Sequence, residues 1–311
     1  MARRRHAAAQ DPAVPPAPST IDLHSHTLRS DGLLQPRALV DAAAAVGIQL
    51  LAITDHDDVS AYRTLTAPGA PDLPSGLTLL PGVEINCLSA GLPALSEYEI
   101  HVLGLGIDPA DDALEALLAE QRGGRRVRFE QTLDRLRELN LAIDDLAGEL
   151  EPGQIASLGR PTIARLLQAK GFVTSVEDGF ARYLGRGRPA YVPRQGIGPA
   201  AAIRAIRAAG GLPVLAHFGE AGEQIAIVRE LREHGLGGLE VYYRGFDRAT
   251  IATVGEVART LSLVPTGGSD YHGDTGSYRD MHAALWVPPD VGEQMLSALR
   301  ARTDPIQFRT T

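Results

Sequence analysis

The chain has 311 residues, 44% hydrophobic and 22% charged, an ordinary globular composition with room for one large domain or a domain carrying an insert. A net charge of −8 argues against a protein that coats nucleic acid through a broad basic face. The single cysteine, Cys87, forms no internal disulfide and leaves no thiolate pair for a metal, so any bound ion is held by imidazole and carboxylate in a reducing, cytoplasmic setting.

Residues 1–19 carry Arg3-Arg4-Arg5 and an Ala/Pro stretch. They lack a secretory apolar region and the length to span a membrane, and read as a disordered tail. Beyond it the chain alternates. Thr20 to Leu23 reads as a buried strand, and Pro36 opens an Ala-rich helix to about Val46. Further apolar strands are expected at Gln49–Thr54, Leu77–Val83, Ile100–Leu105, Leu212–Ala216, Leu239–Tyr243 and Leu263–Thr266. Amphipathic helices are expected at Pro199–Ala209, Glu220–His234 and Arg248–Leu261.

This alternation predicts an α/β fold of βα units around a parallel sheet, with about seven repeats closing a barrel. An open doubly wound sheet is the runner-up, but no phosphate-binding glycine loop follows the first strand. Between residues 108 and 197 the alternation gives way to helices, expected at Asp111–Glu120, Arg125–Leu139, Asp144–Leu150, Pro161–Ala169 and Val176–Leu184. That stretch reads as a helical cap inserted into a barrel formed by residues 20–107 and 198–311. Its arginines cluster at Arg122 to Arg128 and again at Arg182, Arg186, Arg188 and Arg194, where no acid intervenes; the second run suits either an anion site or a solvated loop.

Six of the nine histidines lie where these strands run out. Alternate residues of an extended segment share a face, so His24 and His26 can grip one ion, and Asp270 and His272 repeat the spacing. His56 lies in Thr54-Asp55-His56-Asp57, Glu84 ends a strand, His101 lies on one, and His217 follows another. Imidazole and carboxylate together suit Mn²⁺, Fe²⁺ or Zn²⁺, and neighbouring ions need a bridging carboxylate to screen their repulsion, for which Glu84 is the candidate. Asp55, Asp57 and Asp58 either orient His56 or cap the following helix, and Asp22 supports its strand neighbour His24. His6, His234 and His282 read as surface histidines.

Taken together, His24-Ser25-His26, Ser30-Asp31-Gly32, Thr54 to Asp57, Gly82-Val83-Glu84, His101, Ala216-His217 and Gly267 to Gly273 resemble the PHP (polymerase and histidinol phosphatase) phosphoesterase family. The later stretches Gly159-Arg160-Pro161 and Tyr183 to Pro193 are similar to its stand-alone branch of 3′,5′-nucleoside bisphosphate phosphatases and 5′-to-3′ oligoribonucleases. The resemblance implies a distorted (β/α)7 barrel holding two or three divalent ions, Mn²⁺ foremost. His24, His26, Asp270 and Glu84 would hold one ion; Glu84, His101 and His217 a second; Asp31, His56 and His272 a third.

It further implies hydrolysis of a nucleotide phosphate ester by a metal-bridging hydroxide beside Glu84, Asp270 and His217. The substrate would be a 3′,5′-nucleoside bisphosphate or a short 5′-phosphorylated RNA, with no membrane or obligate protein partner. Arg160 would clamp the non-reacting phosphate, assisted by Thr162, Arg186 and Arg188. A small-metabolite phosphatase of the same chemistry and a non-catalytic nucleotide sensor are the alternatives. Two departures stand out. Thr162 occupies a position where the family commonly has histidine, and Phe218, which either stacks on a base or packs against the cap, replaces a usual proline.

Overall fold

The computed structural model describes residues 18–88, 100–150, 159–273 and 276–301. Residues 1–17, which hold most of the expected tail, lie outside the described residues. Seven strands form one sheet whose spatial order follows the chain: β1 (Ile21–Asp22), β2 (Leu50–Ile53), β3 (Thr78–Cys87), β4 (Ile100–Leu105), β5 (Leu212–Leu215), β6 (Gly238–Tyr243) and β7 (Val264–Gly268). The first and last strands approach each other. Leu23 N–H donates to Gly267 O at 3.1 Å, Asp270 N–H to His24 O at 2.8 Å, and His26 N–H to Tyr271 O at 2.9 Å, giving a mixed, nearly closed barrel.

The sheet departs from the expected all-parallel arrangement at one strand. β4 runs antiparallel to both β3 and β5, whereas the remaining pairs are parallel. An antiparallel neighbour needs no crossover helix, and the short span between Cys87 and Ile100 supplies none among the described residues. The reversal brings the start of β4 to the end of the barrel where the parallel strands finish. His101, the second residue of β4, pairs opposite Asn86, two residues past Glu84, and so shares a face with both.

The strands are apolar because they are buried on both faces. Inside, Leu23, Ala52, Leu80, Leu103, Leu105 and Val214 meet Met295 and Leu299 of the last helix, Pro289–Arg300, which plugs the bottom of the barrel. Outside, the helix Pro199–Ala208 and the helices Ile225–Glu233 and Arg248–Thr260 cover β4 to β7 through Ile203, Ile206, Val228, Leu231, Val254 and Val257. Phe218 is buried in this same cluster, so it packs against the barrel core.

Between β4 and β5 the two helices expected at Asp111–Glu120 and Arg125–Leu139 are one, running Asp112–Glu138. Gly123 and Gly124 do not interrupt it, because Leu114, Leu118, Gln121, Arg125, Phe129, Leu133 and Leu136 recur every three or four residues as one buried face. Its second half packs with Ile143, Ile163, Leu167, Val173 and Leu184 into a cluster separate from those of the barrel. A further departure is His282, expected at the surface. It is buried, with Nε2 2.7 Å from the Ser19 carbonyl, on the short helix Tyr278–His282.

Gly268 ends β7 directly against β1. A Cβ there would lie 2.4 Å from His24 Cβ and 2.6 Å from His24 N, so no side-chain rotation relieves the clash. Gly268→Ala is expected to destabilise the protein by about 1–3 kcal/mol through overpacking and to displace His24. Calorimetry should show a lowered melting temperature; an unchanged one would contradict this close approach.

Candidate metal centre

All nine predicted ligands come together at the end of the barrel where the parallel strands finish. They form three overlapping groups, His24/His26/Glu84/Asp270, Glu84/His101/His217 and His26/Asp31/His56/His272, within each of which the ligand atoms lie within 4.8 Å of one another. His26 thus belongs to two groups rather than one. Glu84, 1% exposed, is the hub. Its Oε2 lies 3.4, 3.2 and 3.0 Å from nitrogens of His24, His26 and His56, and its Oε1 lies 2.8 and 3.3 Å from His101 and His217.

The local chain explains the convergence. β1 delivers His24 and His26 two residues apart, and Asp270 and His272 follow β7 across the seam. Asp57, His217 and Asp270 each adopt positive φ, at 53°, 33° and 50°. Non-glycine residues in this region carry strain of about 1–3 kcal/mol each, and such strain persists where the surrounding structure demands a particular side-chain direction. Asp55 holds the loop after β1 by accepting from Thr27 N–H at 2.7 Å, Thr27 Oγ1 at 2.7 Å and Ser30 Oγ at 2.6 Å. It therefore supports the segment bearing His26 and Asp31 and makes no contact of that kind with His56. Asp22 accepts from Ser269 N–H and Oγ and from Tyr278 Oη, tying β1 to the loop before Asp270.

The donor set fits divalent cations. Buried polar atoms are almost always hydrogen-bonded, yet His24 Nε2, His26 Nε2, Asp31 Oδ1, His56 Nδ1 and His101 Nε2 have no hydrogen-bond partner. Five such atoms in one place, four imidazole nitrogens and one carboxylate oxygen, match borderline ions such as Mn²⁺, Fe²⁺ and Zn²⁺. The side chains of His101, His217, Asp270 and His272 are 14%, 25%, 18% and 20% exposed, against 0% for His24 and His26, so the centre opens to solvent on their side.

The charges are strongly coupled. Burial favours neutral carboxyls, but the surrounding imidazoles outweigh it and hold Asp31, Glu84 and Asp270 well below the usual carboxylate range. Burial also opposes a charged His272; Asp31, at 3.2 Å, and Asp270 outweigh that and push it up to about 10. His24, His26 and His217 are raised in the same way by Glu240, Asp270 and Glu84 in differing combinations. His56 is the exception, with burial prevailing and its value held well below normal.

Sequence reasoning missed other groups here. Glu240 is fully buried in β6, with Oε1 3.1 Å from His24 Nδ1 and Oε2 2.7 Å from His217 N. A carboxylate inside the apolar run Gly238 to Tyr243 was the available signal, since unpaired buried acids are rare. Beside the centre, Arg125, Arg128, Arg160 and Arg194 line one pocket with Phe129, Thr132, Gly159 and Ile163. Of the four expected substrate contacts only Arg160 lines that pocket. Thr162 is buried next to it, and Arg186 and Arg188 are exposed elsewhere on the helical segment.

No family model matches the chain. Curated relatives do. The chain is 34% identical over 277 residues to the 5′-3′ exoribonuclease Rnm of Escherichia coli, covering 87% of this chain and 90% of that protein. It belongs to the PHP family of metal-dependent phosphoesterases. The 3′,5′-nucleoside bisphosphate phosphatase of Chromobacterium violaceum is 31% identical over 277 residues, covering 87% of this chain and 93% of that one. Among solved structures, a metal-dependent phosphoesterase of Bifidobacterium adolescentis superposes with a TM-score of 0.73 at 29% identity, covering 91% of this chain and 97% of that one. The chain is accordingly a hydrolase of phosphoester bonds, and among its described residues no helix is long and apolar enough to cross a membrane.

The direction of the shifts sets a pH dependence for the metal-free PHP protein. Imidazoles raised in the fold stabilise it below their unfolded value near 6.5, and that stability is lost as pH rises through the folded value, about 10 for His272. The depressed carboxylates stabilise it above their own unfolded values, near 3.8 for aspartate, and lose this as pH falls. Chelator-treated protein should therefore melt at progressively lower temperature as pH is raised from about 7 to about 10. Calorimetry across this range checks it, and a flat profile would sink it.

Proposed function

We propose that this chain hydrolyses a terminal phosphate ester of a nucleotide, converting a 3′,5′-nucleoside bisphosphate to the 5′-monophosphate or removing nucleotides from short 5′-phosphorylated RNA. The observation that carries this reading is the pocket of four arginines beside the ligand groups. Arg125 is 8% exposed, donates from Nε to Asp57 Oδ2 at 2.6 Å, and keeps a buried Nη2 without a hydrogen-bond partner. Asp57 directly follows His56, and a Cβ on Gly159 in the pocket wall would lie 3.9 Å from Asp31 Oδ2, so pocket and centre adjoin.

A substrate with two phosphates matches this layout. One phosphate meets the ligand groups, and the other meets planar guanidiniums suited to bidentate phosphate binding. Arg160, stacked over the rings of Phe180 at 5.4 Å and Tyr191 at 5.8 Å, is fixed in place for that contact. The helical segment 108–197 serves as the cap that carries these arginines, and its separate apolar cluster supports treating it as an insert. The activities named for the two relatives point the same way.

The nine side chains would hold two or three ions, with Mn²⁺ the best match to a set of histidines and carboxylates without thiolate. Bound there, divalent ions supply Lewis acidity, making water nucleophilic near neutral pH and neutralising charge on phosphoryl oxygens. Asp270 and His217, on the open side of the centre, together with the buried Glu84, would hold the attacking water. The four arginines keep the substrate's second phosphate anchored, which fixes the reacting ester in line.

Phosphate release by Mn²⁺-loaded and chelator-stripped protein tests this on adenosine 3′,5′-bisphosphate, AMP, a 5′-phosphorylated short RNA and histidinol phosphate. Metal-dependent preference for the bisphosphate or the RNA is expected. Arg160→Ala should lower kcat/KM on these by about 10- to 100-fold, the worth of about 1.5–3 kcal/mol carried by a charged hydrogen bond, with little change on histidinol phosphate. Turnover confined to histidinol phosphate would overturn the nucleotide reading.

A further inference from the structure

β6 contributes no side chain to the three ligand groups, yet it runs between β5, which leads to His217, and β7, which leads to Asp270. Two of its residues reach those ligands. Glu240 Oε1 lies 3.1 Å from His24 Nδ1, and its Oε2 lies 2.7 Å from the His217 backbone nitrogen, which donates to it. Tyr243 donates from its hydroxyl to Asp270 Oδ2 at 3.2 Å, while its ring stands 5.6 Å from that of His217.

Residues three apart on a regular strand face opposite ways. Here the pairing with β7 slips between Glu240 and Tyr242: Glu240 opposes Thr266, and Tyr242 opposes Gly267. A bulge of this kind re-aims the side chains that follow it. It allows Glu240 and Tyr243 to address the same centre.

We propose that Glu240 and Tyr243 are positioning residues that make β6 the outer support of the metal centre, with Glu240 coupling two of the ligand groups. The inference rests on the reading that the nine side chains hold ions. Glu240 accepts from Nδ1–H of His24, which fixes the tautomer leaving Nε2 free, and Nε2 is the atom that faces Glu84 and Asp270 at 3.4 and 3.3 Å. The other oxygen of the same carboxylate holds the backbone of His217 at φ 33°, a conformation this residue would not keep unaided. His24 and His217 belong to different groups that share Glu84. Loss of one carboxylate therefore loosens both together. Tyr243 acts on the free oxygen of Asp270 and supports one group alone.

The test is ion stoichiometry and stepwise affinity, measured by calorimetric titration of chelator-stripped protein with Mn²⁺ and by elemental analysis after dialysis. Glu240→Gln keeps the shape of the side chain and should weaken two binding steps together by about 10- to 100-fold, the usual effect of removing a partner of a ligating histidine, while the His26/Asp31/His56/His272 group still loads. Tyr243→Phe removes one hydroxyl of a partly buried ring and should weaken a single step. As a measurement on the unaltered chain, long-range ¹H–¹⁵N correlation spectra of the Zn²⁺-loaded protein, with His24 identified by His24→Gln, should show that ring carrying its proton at Nδ1.

Wild-type protein that binds no ion would remove the reading on which this rests. Wild-type loading with unchanged affinities in both variants, or a Zn²⁺-loaded His24 ring without a proton at Nδ1, would overturn the positioning role while leaving the metal centre standing. A Glu240→Gln protein that fails to fold leaves Tyr243→Phe and the tautomer to decide.

Discussion

The Glu84 carboxylate, buried among five imidazoles, is the interaction on which the rest of the structure turns. A lone carboxylate at this depth would favour its neutral form, and six histidines packed together would favour theirs. Each tolerates burial because the other is present. The arrangement demands that ligands from the ends of six of the seven strands meet within a few ångströms, and a nearly closed barrel is the architecture that presents so many strand ends to one point.

From that constraint much of the remaining design follows. The strained backbone at His217 and Asp270 turns their side chains into the centre, and that at Asp57 accompanies a carboxylate turned to Arg125. Asp22, Asp55 and Glu240 then hold the ligand-bearing loops by hydrogen bonds in a water-poor setting, where such bonds are strong. Arginines of the segment between β4 and β5 flank this cluster on one side. Arg125 and Arg194 approach Asp57 at 2.6 and 3.7 Å, which links the helical segment to the barrel at the edge of the centre.

Much of this was legible in the sequence because its signals are local. His24-Ser25-His26 and Asp270-Tyr271-His272 declare themselves by spacing, and apolar runs ending in polar residues mark strand ends. What escaped depends on tertiary context. The reversal of β4 leaves no trace in the apolarity of Ile100 to Leu105, since a strand buried on both faces reads alike in either direction. The gap expected between Glu120 and Arg125 is bridged by packing along Asp112–Glu138. Glu240 was hidden by the β-rich residues around it, and the convergence of Arg125 and Arg128 with Arg160 and Arg194 joins stretches far apart in the chain.

The seam between β1 and β7 carries a further meaning. Few backbone bonds hold the first and last strands together: Leu23 to Gly267, Asp270 to His24 and His26 to Tyr271. His24 and His26 lie on one side of that seam and Asp270 and His272 on the other. An ion shared across it would work as a clasp, joining points some 245 residues apart in the chain as a long-range cross-link does. Metal loading and barrel closure would then be one equilibrium. The cation that this centre is suited to hold would also be the fastening that keeps the first and last strands from parting.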